Sequence, residues 1–174
     1  NIVAKHNVEK LKTIGDAYMC VAGVPAESRG HAIAACLASL EIQHHMERTN
    51  VQREKMRMPR WDMRIGLHSG PIIAGVVGEK KFTYDVWGDA VNIAALMEKE
   101  GEPARINVSQ TTLQQVSEAF ETEERGEIDS GKKGLLTMYF VNRLKPEFSS
   151  DADGIKPNEA FQQQFGNLLR VYDR

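Results

Sequence analysis

The stretch LKTIGDAYMCVAGV, residues 11–24, decides how the chain begins to fold. β-Branched and aromatic residues lie on both sides of the Gly15-Asp16 dipeptide, and such a dipeptide between two short apolar runs is a turn signal. We therefore predict a β-hairpin with Asp16 at its tip. One charged side chain, that of Lys12, lies inside the first of the two runs.

Beyond this hairpin, helical and strand-like segments alternate. Apolar residues spaced two to four positions apart predict a helix over residues 31–48. The polar and basic residues 49–60 predict a connecting segment that Met58-Pro59 closes. The other predicted elements are strands 61–68 and 71–77 hinged at Ser69-Gly70, a helix around 91–97, a strand at 106–108, a helix capped by Ser109, strands 121–128 and 135–143 around the turn 131–134, and a short helix within 161–169. This order predicts an α/β or α+β sandwich with helices on a mainly antiparallel sheet.

Composition restricts the class of protein. The 174 residues suffice for one core, and 22 Lys and Arg against 24 Asp and Glu give a net charge of −2. That balance excludes a strongly basic, dedicated nucleic-acid-binding protein. No apolar run reaches the ~20 residues that span a bilayer, so we predict no membrane contact from this chain itself. Cys20 and Cys36 lie in apolar segments, which indicates a reduced, intracellular protein.

Four charged residues interrupt otherwise apolar, strand-like segments, namely Lys12, Asp16, Arg64 and Asp85. Taken singly, each is explained by alternation, with the side chain directed to solvent on the outer face of a sheet. Taken together, two carboxylates and several cations near strand ends indicate a site for a metal–polyphosphate ligand. Carboxylates hold Mg²⁺, and Arg or Lys side chains clamp phosphates. Both interpretations stay open on this pattern alone.

Four blocks of the sequence resemble the catalytic domain of class III nucleotidyl cyclases, of the adenylate cyclase type. Their order and spacing agree with that family over residues 8–143. The blocks are KLKTIGDAYM (10–19), RIGLHSGP (64–71) with AGVVG (74–78), YDVWGDAVNIA (84–94), and RGEI (125–128) with MYFV (138–141). The resemblance implies a ferredoxin-like βαββαβ core, a catalytic domain over residues 1–144 and a tail over 145–174. It also implies that the first strand and helix of the family fold precede Asn1.

The resemblance further implies roles for the matching residues. Asp16 corresponds to one of two metal-binding aspartates that together hold two Mg²⁺ or Mn²⁺ ions. Lys12 and Asp85 correspond to the pair that selects the base, and a lysine with a carboxylate suits adenine. The remaining positions, which hold phosphates or the ribose, are Arg64, Lys133 and Asn92.

The implied reaction converts ATP to 3′,5′-cyclic AMP and pyrophosphate through attack of the ribose 3′-oxygen on the α-phosphorus. Family members form head-to-tail dimers with sites at the interface, so we expect a homodimer. Asp16 and Arg64 of one protomer would face the base- and ribose-binding residues of the other. The implied location is the cytoplasm, either for the chain alone or as the cytoplasmic domain of a larger, membrane-anchored protein.

The sequence departs from the family pattern at three places. The second metal-binding aspartate belongs to a strand that would precede Asn1. Leu96 stands where the family has the arginine that stabilises the transition state. The turn Gly131-Lys132-Lys133-Gly134 replaces Lys-Gly-Lys-Gly, which leaves open which lysine meets the phosphates. The alternative hypothesis is therefore a catalytically weakened cyclase-like domain that binds a nucleotide or a partner.

Overall fold

The computed structural model describes residues 1–131 and 134–171. The strands in this part are β1 (Val8–Ile14), β2 (Ala17–Ala22), β3 (Ile65–Leu67), β4 (Ile73–Val77), β5 (Thr83–Trp87), β6 (Ile106–Ser109), β7 (Phe120–Asp129) and β8 (Leu135–Leu144). The helices are α1 (Ile2–Lys5), α2 (His31–Lys55), α3 (Asp89–Lys99), α4 (Gln110–Val116) and α5 (Glu159–Phe165), with a 3₁₀ turn at Pro146–Phe148. None of the described helices combines the length and the apolar character that crossing a bilayer requires.

The strands form one sheet of four and two separate hairpins. The sheet has the order β3-β6-β8-β7, in which only the β3–β6 pairing is parallel. β1 pairs with β2 and β4 pairs with β5, both antiparallel. This architecture confirms the predicted α+β class with mainly antiparallel pairing, and it confirms the hairpin at residues 11–24.

The prediction that residues 61–68 and 71–77 form one strand pair is wrong. β3 is only three residues long and pairs with the buried β6, Ile65 opposite Ile106. β4 pairs instead with β5, which follows it after a short loop. The intervening loop is held elsewhere, since Thr112 donates a hydrogen bond to the Ser69 hydroxyl at 3.1 Å. Pro71 also lacks the N–H group that a continuous ladder would need.

Helix α2 is longer than predicted. It runs to Lys55 rather than ending near Arg48, so the first half of the predicted connecting segment is helical. Residues 52–55 are Gln, Arg, Glu and Lys, straight-chain residues that lose little freedom in a helix, and Pro59 is the first strong breaker. Ile33, Leu37 and Leu40 form the buried face that packs on the four-stranded sheet.

The core includes the C-terminal segment. Phe148, Phe161 and Phe165 are buried in the same cluster as α2, with the Phe148 and Phe165 rings 5.2 Å apart in an edge-on arrangement. The predicted terminal helix is confirmed as α5. Leu168 then closes the segment onto the turn before α2, because its carbonyl accepts a 2.7 Å hydrogen bond from the Gly30 N–H. A side chain at Gly30 would lie 2.8 Å from that carbonyl, so the position requires glycine.

Helix α1 lies before the first hairpin and was not predicted. Val3 of α1 and Val8 of β1 are buried together against Ala34 and Ala38 of α2. The first hairpin is therefore anchored to α2, because these four small apolar side chains form a second, minor core.

Candidate active site

The two hairpins bring Lys12 and Asp85 together. The Lys12 Nζ lies 2.5 Å from the Asp85 Oδ2, although 73 positions separate the two residues. A β-bulge shifts the β1–β2 register between Lys10 and Lys12, and an extra residue at such a bulge re-aims the side chain that follows it. On β5 the buried Val86 faces the interior, so alternation directs Asp85 to the opposite side.

The Asp85 carboxylate is held in its ionised form. The hydrogen bond from Lys12 lowers the pKa of the Asp85 carboxyl, and a 2.9 Å hydrogen bond from the Val86 backbone N–H lowers it further. The side chains of Lys12 and Asp85 are 40% and 17% exposed, so a ligand can reach both. The pair presents a donor beside an acceptor, and it fits a ligand edge that offers an acceptor beside a donor.

Arg64 lies just before β3 and contacts helix α3. Its Nε donates a 2.9 Å hydrogen bond to the Glu98 Oε1, at a site where both side chains are accessible. The helix lies against this strand at very short range, since a Cβ at Gly66 would be 2.0 Å from the Glu98 backbone nitrogen. Gly66 therefore sets the distance between β3 and α3, and Glu98 orients the guanidinium.

Helix α3 carries the other predicted polar residue. Asn92 is exposed on its first turns, while Ala90 and Met97 on the opposite side are buried. Leu96 follows Asn92 by four positions and therefore lies on the same face, one turn along the helix. Leu96 is half-buried and supplies no charge next to Asn92.

Asp16 lies at the tip of the first hairpin, in the turn between β1 and β2. Its carboxylate makes no hydrogen bond or ion pair within residues 1–131 and 134–171, so it is available to a ligand. A carboxylate is a suitable ligand for Mg²⁺ or Mn²⁺. However, no three His, Cys, Asp or Glu side chains of the described residues converge as a metal site. Asp16 thus fits one ligand position and needs further oxygen ligands from outside this set.

The structure brings together only some of the site residues predicted from the sequence. The structure brings Lys12 and Asp85 into contact, and among the described residues no hydrogen bond or ion pair joins Asp16, Arg64 or Asn92 to them. Lys133 lies outside the described residues. Sequence reasoning missed Glu98 as the partner of Arg64. The available signal was Gly66 between two apolar strand residues, which indicates a close approach of another backbone.

The second hairpin exposes apolar side chains on its strands and in the loop between them. The largest exposed fractions are those of Ile73 and Phe82, at 73% each, and Val76 follows at 63%. Several exposed apolar side chains grouped on one hairpin are typical of a protein–protein interface. Asp85 lies on β5 of the same hairpin, opposite Gly75 of β4. The Lys12–Asp85 ion pair therefore lies beside these exposed apolar side chains.

Comparisons with known proteins identify relatives of this chain. The family described as "Adenylate and Guanylate cyclase catalytic domain" matches residues 1–143. An adenylate cyclase from Mycobacterium tuberculosis is 36% identical over 163 residues, which cover 91% of this chain and 35% of that protein. Human retinal guanylyl cyclase 2 is 44% identical over 147 residues, which cover 80% of this chain and 13% of that protein. The chain thus spans about a third or less of the length of these two relatives.

Among solved structures, the guanylate cyclase domain of RhGC from Catenaria anguillulae, in complex with GTP, superposes with a TM-score of 0.73. It is 32% identical, and the match covers 83% of this chain and 77% of that domain. Relatives of both substrate types therefore share this fold, and the family match extends over every predicted site residue from Lys12 to Lys133. The chain belongs to the adenylate and guanylate cyclase catalytic domain family.

Proposed function

We propose that the chain is the catalytic domain of an adenylate cyclase, which converts ATP to 3′,5′-cyclic AMP and pyrophosphate. The observation that carries this proposal is the Lys12–Asp85 pair, with 2.5 Å between amine and carboxylate. Adenine offers the ring nitrogen N1 as an acceptor beside the 6-amino group as a donor. Lys12 can donate to the former and the ionised Asp85 can accept from the latter, whereas guanine presents the reverse pattern on that edge.

The other residues bind and orient the triphosphate and ribose. Arg64 offsets negative charge on the phosphates, and its contact with Glu98 holds the guanidinium in a defined direction until the nucleotide binds. Asn92 hydrogen-bonds the ribose and keeps the 3′-oxygen directed at the α-phosphorus. Lys133 is proposed to contact the outer phosphates, and Lys132 is the alternative. Asp16 would be one ligand of Mg²⁺ or Mn²⁺, which neutralises phosphate charge and lowers the pKa of the attacking hydroxyl when bound.

We further propose that the active form is a homodimer. Asp16 and Arg64 of one protomer would face Lys12, Asp85 and Asn92 of its partner, and a two-fold axis would make two equivalent sites. The exposed apolar surface of the second hairpin supports this, because a single chain leaves Ile73 and Phe82 in water.

Competition between ATP and GTP for a fluorescent nucleotide tests the base selectivity directly. The wild-type chain is expected to favour ATP by about 10–100-fold, the discrimination that a good pair of base-edge contacts provides. The double variant Lys12→Glu, Asp85→Cys should lose or reverse this preference. Lys5 and Glu41 form another accessible ion pair, at 2.7 Å, so Lys5→Glu, Glu41→Cys is a matched control that should leave it unchanged. Equal preferences in wild type and the double variant would contradict the roles of Lys12 and Asp85.

A second function is favoured by one residue. Leu96 supplies no cation beside Asn92, so the domain would bind nucleotide or a partner but turn over slowly. Cyclic AMP formation from Mn²⁺-ATP, with any natural sequence before Asn1 attached, separates the two functions. Product formation by the wild type supports the enzyme. Nucleotide binding without product, followed by a gain of product in Leu96→Arg, supports the weakened domain.

A further inference from the structure

The C-terminal end of α2 and the chain that follows it form an exposed surface that the proposed site does not use. We define residues 48–61 as the basic rim. Between residues 48 and 60 there are five Lys or Arg and one acidic residue, in a chain whose net charge is −2. Four large apolar side chains are also exposed on this rim, and they are Val51, Met56, Met58 and Trp61. Trp61 is 68% exposed and Met56 is 62% exposed.

The rim is held in a fixed shape. Arg60 binds three carboxylates, those of Glu47, Glu54 and Asp62, at 2.5, 2.7 and 3.3 Å. Asn50 is buried beneath the rim, and its side chain accepts a 2.9 Å hydrogen bond from the Trp61 N–H. Exposed Trp61 is therefore presented by an ordered backbone, although its ring has little apolar cover.

Among the cations of the rim, Arg60 is the one that pairs with carboxylates of the described residues. Arg48, Lys55 and Arg57 make no ion pair with a carboxylate in the part of the chain that the structure describes. Arg53 donates its Nε to the Pro59 carbonyl at 2.8 Å and likewise has no carboxylate partner there. The rim thus combines uncompensated positive charge with exposed methionine and tryptophan side chains.

Arg57 occupies a backbone conformation that favours glycine. Its φ is 58°, and it follows the last residues of α2 as the left-handed residue of a Schellman motif. The Met58 N–H bonds the Arg53 carbonyl and the Arg57 N–H bonds the Glu54 carbonyl, both at 2.9 Å. Glycine is the usual residue here because a side chain disfavours this conformation. Arg57 adopts this conformation without being glycine, and its side chain is exposed at the end of α2.

We infer that the basic rim docks on an anionic lipid bilayer. Lysine and arginine side chains near such a surface are attracted by its negative potential, and tryptophan is enriched at the level of the headgroups. Val51, Met56, Met58 and Trp61 are each more than 40% exposed, and none of them lines either of two clefts beside α2. Exposed apolar side chains interspersed in sequence with cations that lack a carboxylate partner match a planar lipid surface better than they match a peptide, which needs a groove. This inference revises the sequence-based expectation of no membrane contact, and it is independent of the proposed catalytic function.

Co-sedimentation with vesicles tests this inference. We expect the wild-type chain to bind vesicles of about three parts phosphatidylcholine to one part phosphatidylserine, and to bind pure phosphatidylcholine much more weakly. Higher salt should reduce binding to the anionic vesicles. Lys55→Gln and Arg57→Gly should each weaken binding about five-fold, the loss expected for one cation near the surface. Arg57→Gly also removes the steric strain of a side chain at positive φ, so this variant should be at least as stable as the wild type. A loss of binding in it therefore cannot be attributed to unfolding.

Two further measurements keep the result unambiguous. Arg170→Gln removes an exposed cation far from the rim in sequence and should bind like the wild type. In a Trp87→Phe background, Trp61 is the only tryptophan, and its emission should shift to shorter wavelength with anionic vesicles only. Failure of the wild type to bind, or equal binding by Arg57→Gly, overturns the inference. Binding of an acidic amphipathic peptide without any binding to vesicles would also overturn it and would assign the rim to protein recognition.

Discussion

The four-stranded sheet with α2 and the two hairpins differ sharply in how they are stabilised. In the first region Phe120, Phe161 and Val108 are essentially inaccessible to water, and they hold together residues that are distant in sequence. In the hairpins, Ile14 and Ile73 are more than half exposed. One accessible ion pair, Lys12 with Asp85, joins the hairpins. The comparison teaches that the buried core lies in the sheet with α2, whereas the proposed base-binding pair lies on accessible hairpins, so substitutions in the two regions should affect stability and activity separately.

The largest effect on stability is expected in the core. Phe161→Ala removes a fully buried ring and should lower the free energy of unfolding by about 3–5 kcal/mol, measured by urea denaturation. Phe82→Ala removes an equally large ring from the hairpin loop, where it is 73% exposed, and should change the free energy of unfolding by less than about 0.5 kcal/mol. Similar losses in the two variants would remove the distinction between the regions.

The largest effect on activity is expected at an exposed residue. Asn92→Ala should reduce kcat by about 10²–10³-fold, because it would remove the proposed hydrogen bond that orients the reacting ribose. The melting temperature should stay unchanged, since Asn92 is exposed on α3 and supports no core contact. Rates of cyclic AMP formation and thermal denaturation of the same preparation check both parts. A large fall in melting temperature would mean that Asn92 is structural.

An intermediate effect on stability is expected where the sheet packs against α3. Gly66→Ala places a methyl group 2.0 Å from the backbone of Glu98, so α3 must move away from β3. We expect a loss of about 1–3 kcal/mol in the free energy of unfolding, the usual cost of overpacking. Gly75→Ala is the control, because its nearest neighbour would be the Trp87 ring at an ordinary 3.7 Å. Wild-type stability in Gly66→Ala would show that α3 is free to shift.

The smallest effect on stability is expected for the ion pair between the hairpins. The pKa of the Asp85 carboxyl is lowered in the folded chain, so its contribution is complete above the ordinary aspartate pKa of about 3.9. The contribution then disappears as the pH falls through the lowered pKa. The difference in melting temperature between wild type and Asp85→Asn should therefore be small at neutral pH and vanish in acid. A difference that grows as the pH falls would contradict the direction of the shift.

Local patterns in the sequence were sufficient for much of the fold and of the site. The hairpin at residues 11–24 was predictable because Gly15-Asp16 lies between two apolar runs, and the motif residues Lys12 and Asp85 were predictable from the family resemblance. The pairing of β3 with β6 was not, because it depends on residues some forty positions apart and on the contact between Gly66 and α3.

Long-range packing also explains the C-terminal segment, residues 145–174, for which the sequence alone predicted no role. The sequence predicted a short helix within residues 161–169, but only the fold shows that the Phe161 and Phe165 rings belong to the same core as α2. Likewise Glu98 is one of many acidic residues in the sequence, and its contact with Arg64 depends on the position of α3 beside β3. Patterns within one element were predictable, whereas contacts between elements required the structure.

The central claim is that each site combines residues from two copies of the chain, and complementation tests it most directly. Asp16→Asn and Asn92→Ala alter opposite halves of the proposed site, so each variant alone should produce almost no cyclic AMP. Mixing and re-equilibrating the two should restore about a quarter of the wild-type activity, because about half of randomly paired dimers carry one intact site of two. A mixture as inactive as its two components, beside an active wild type, would contradict the shared site.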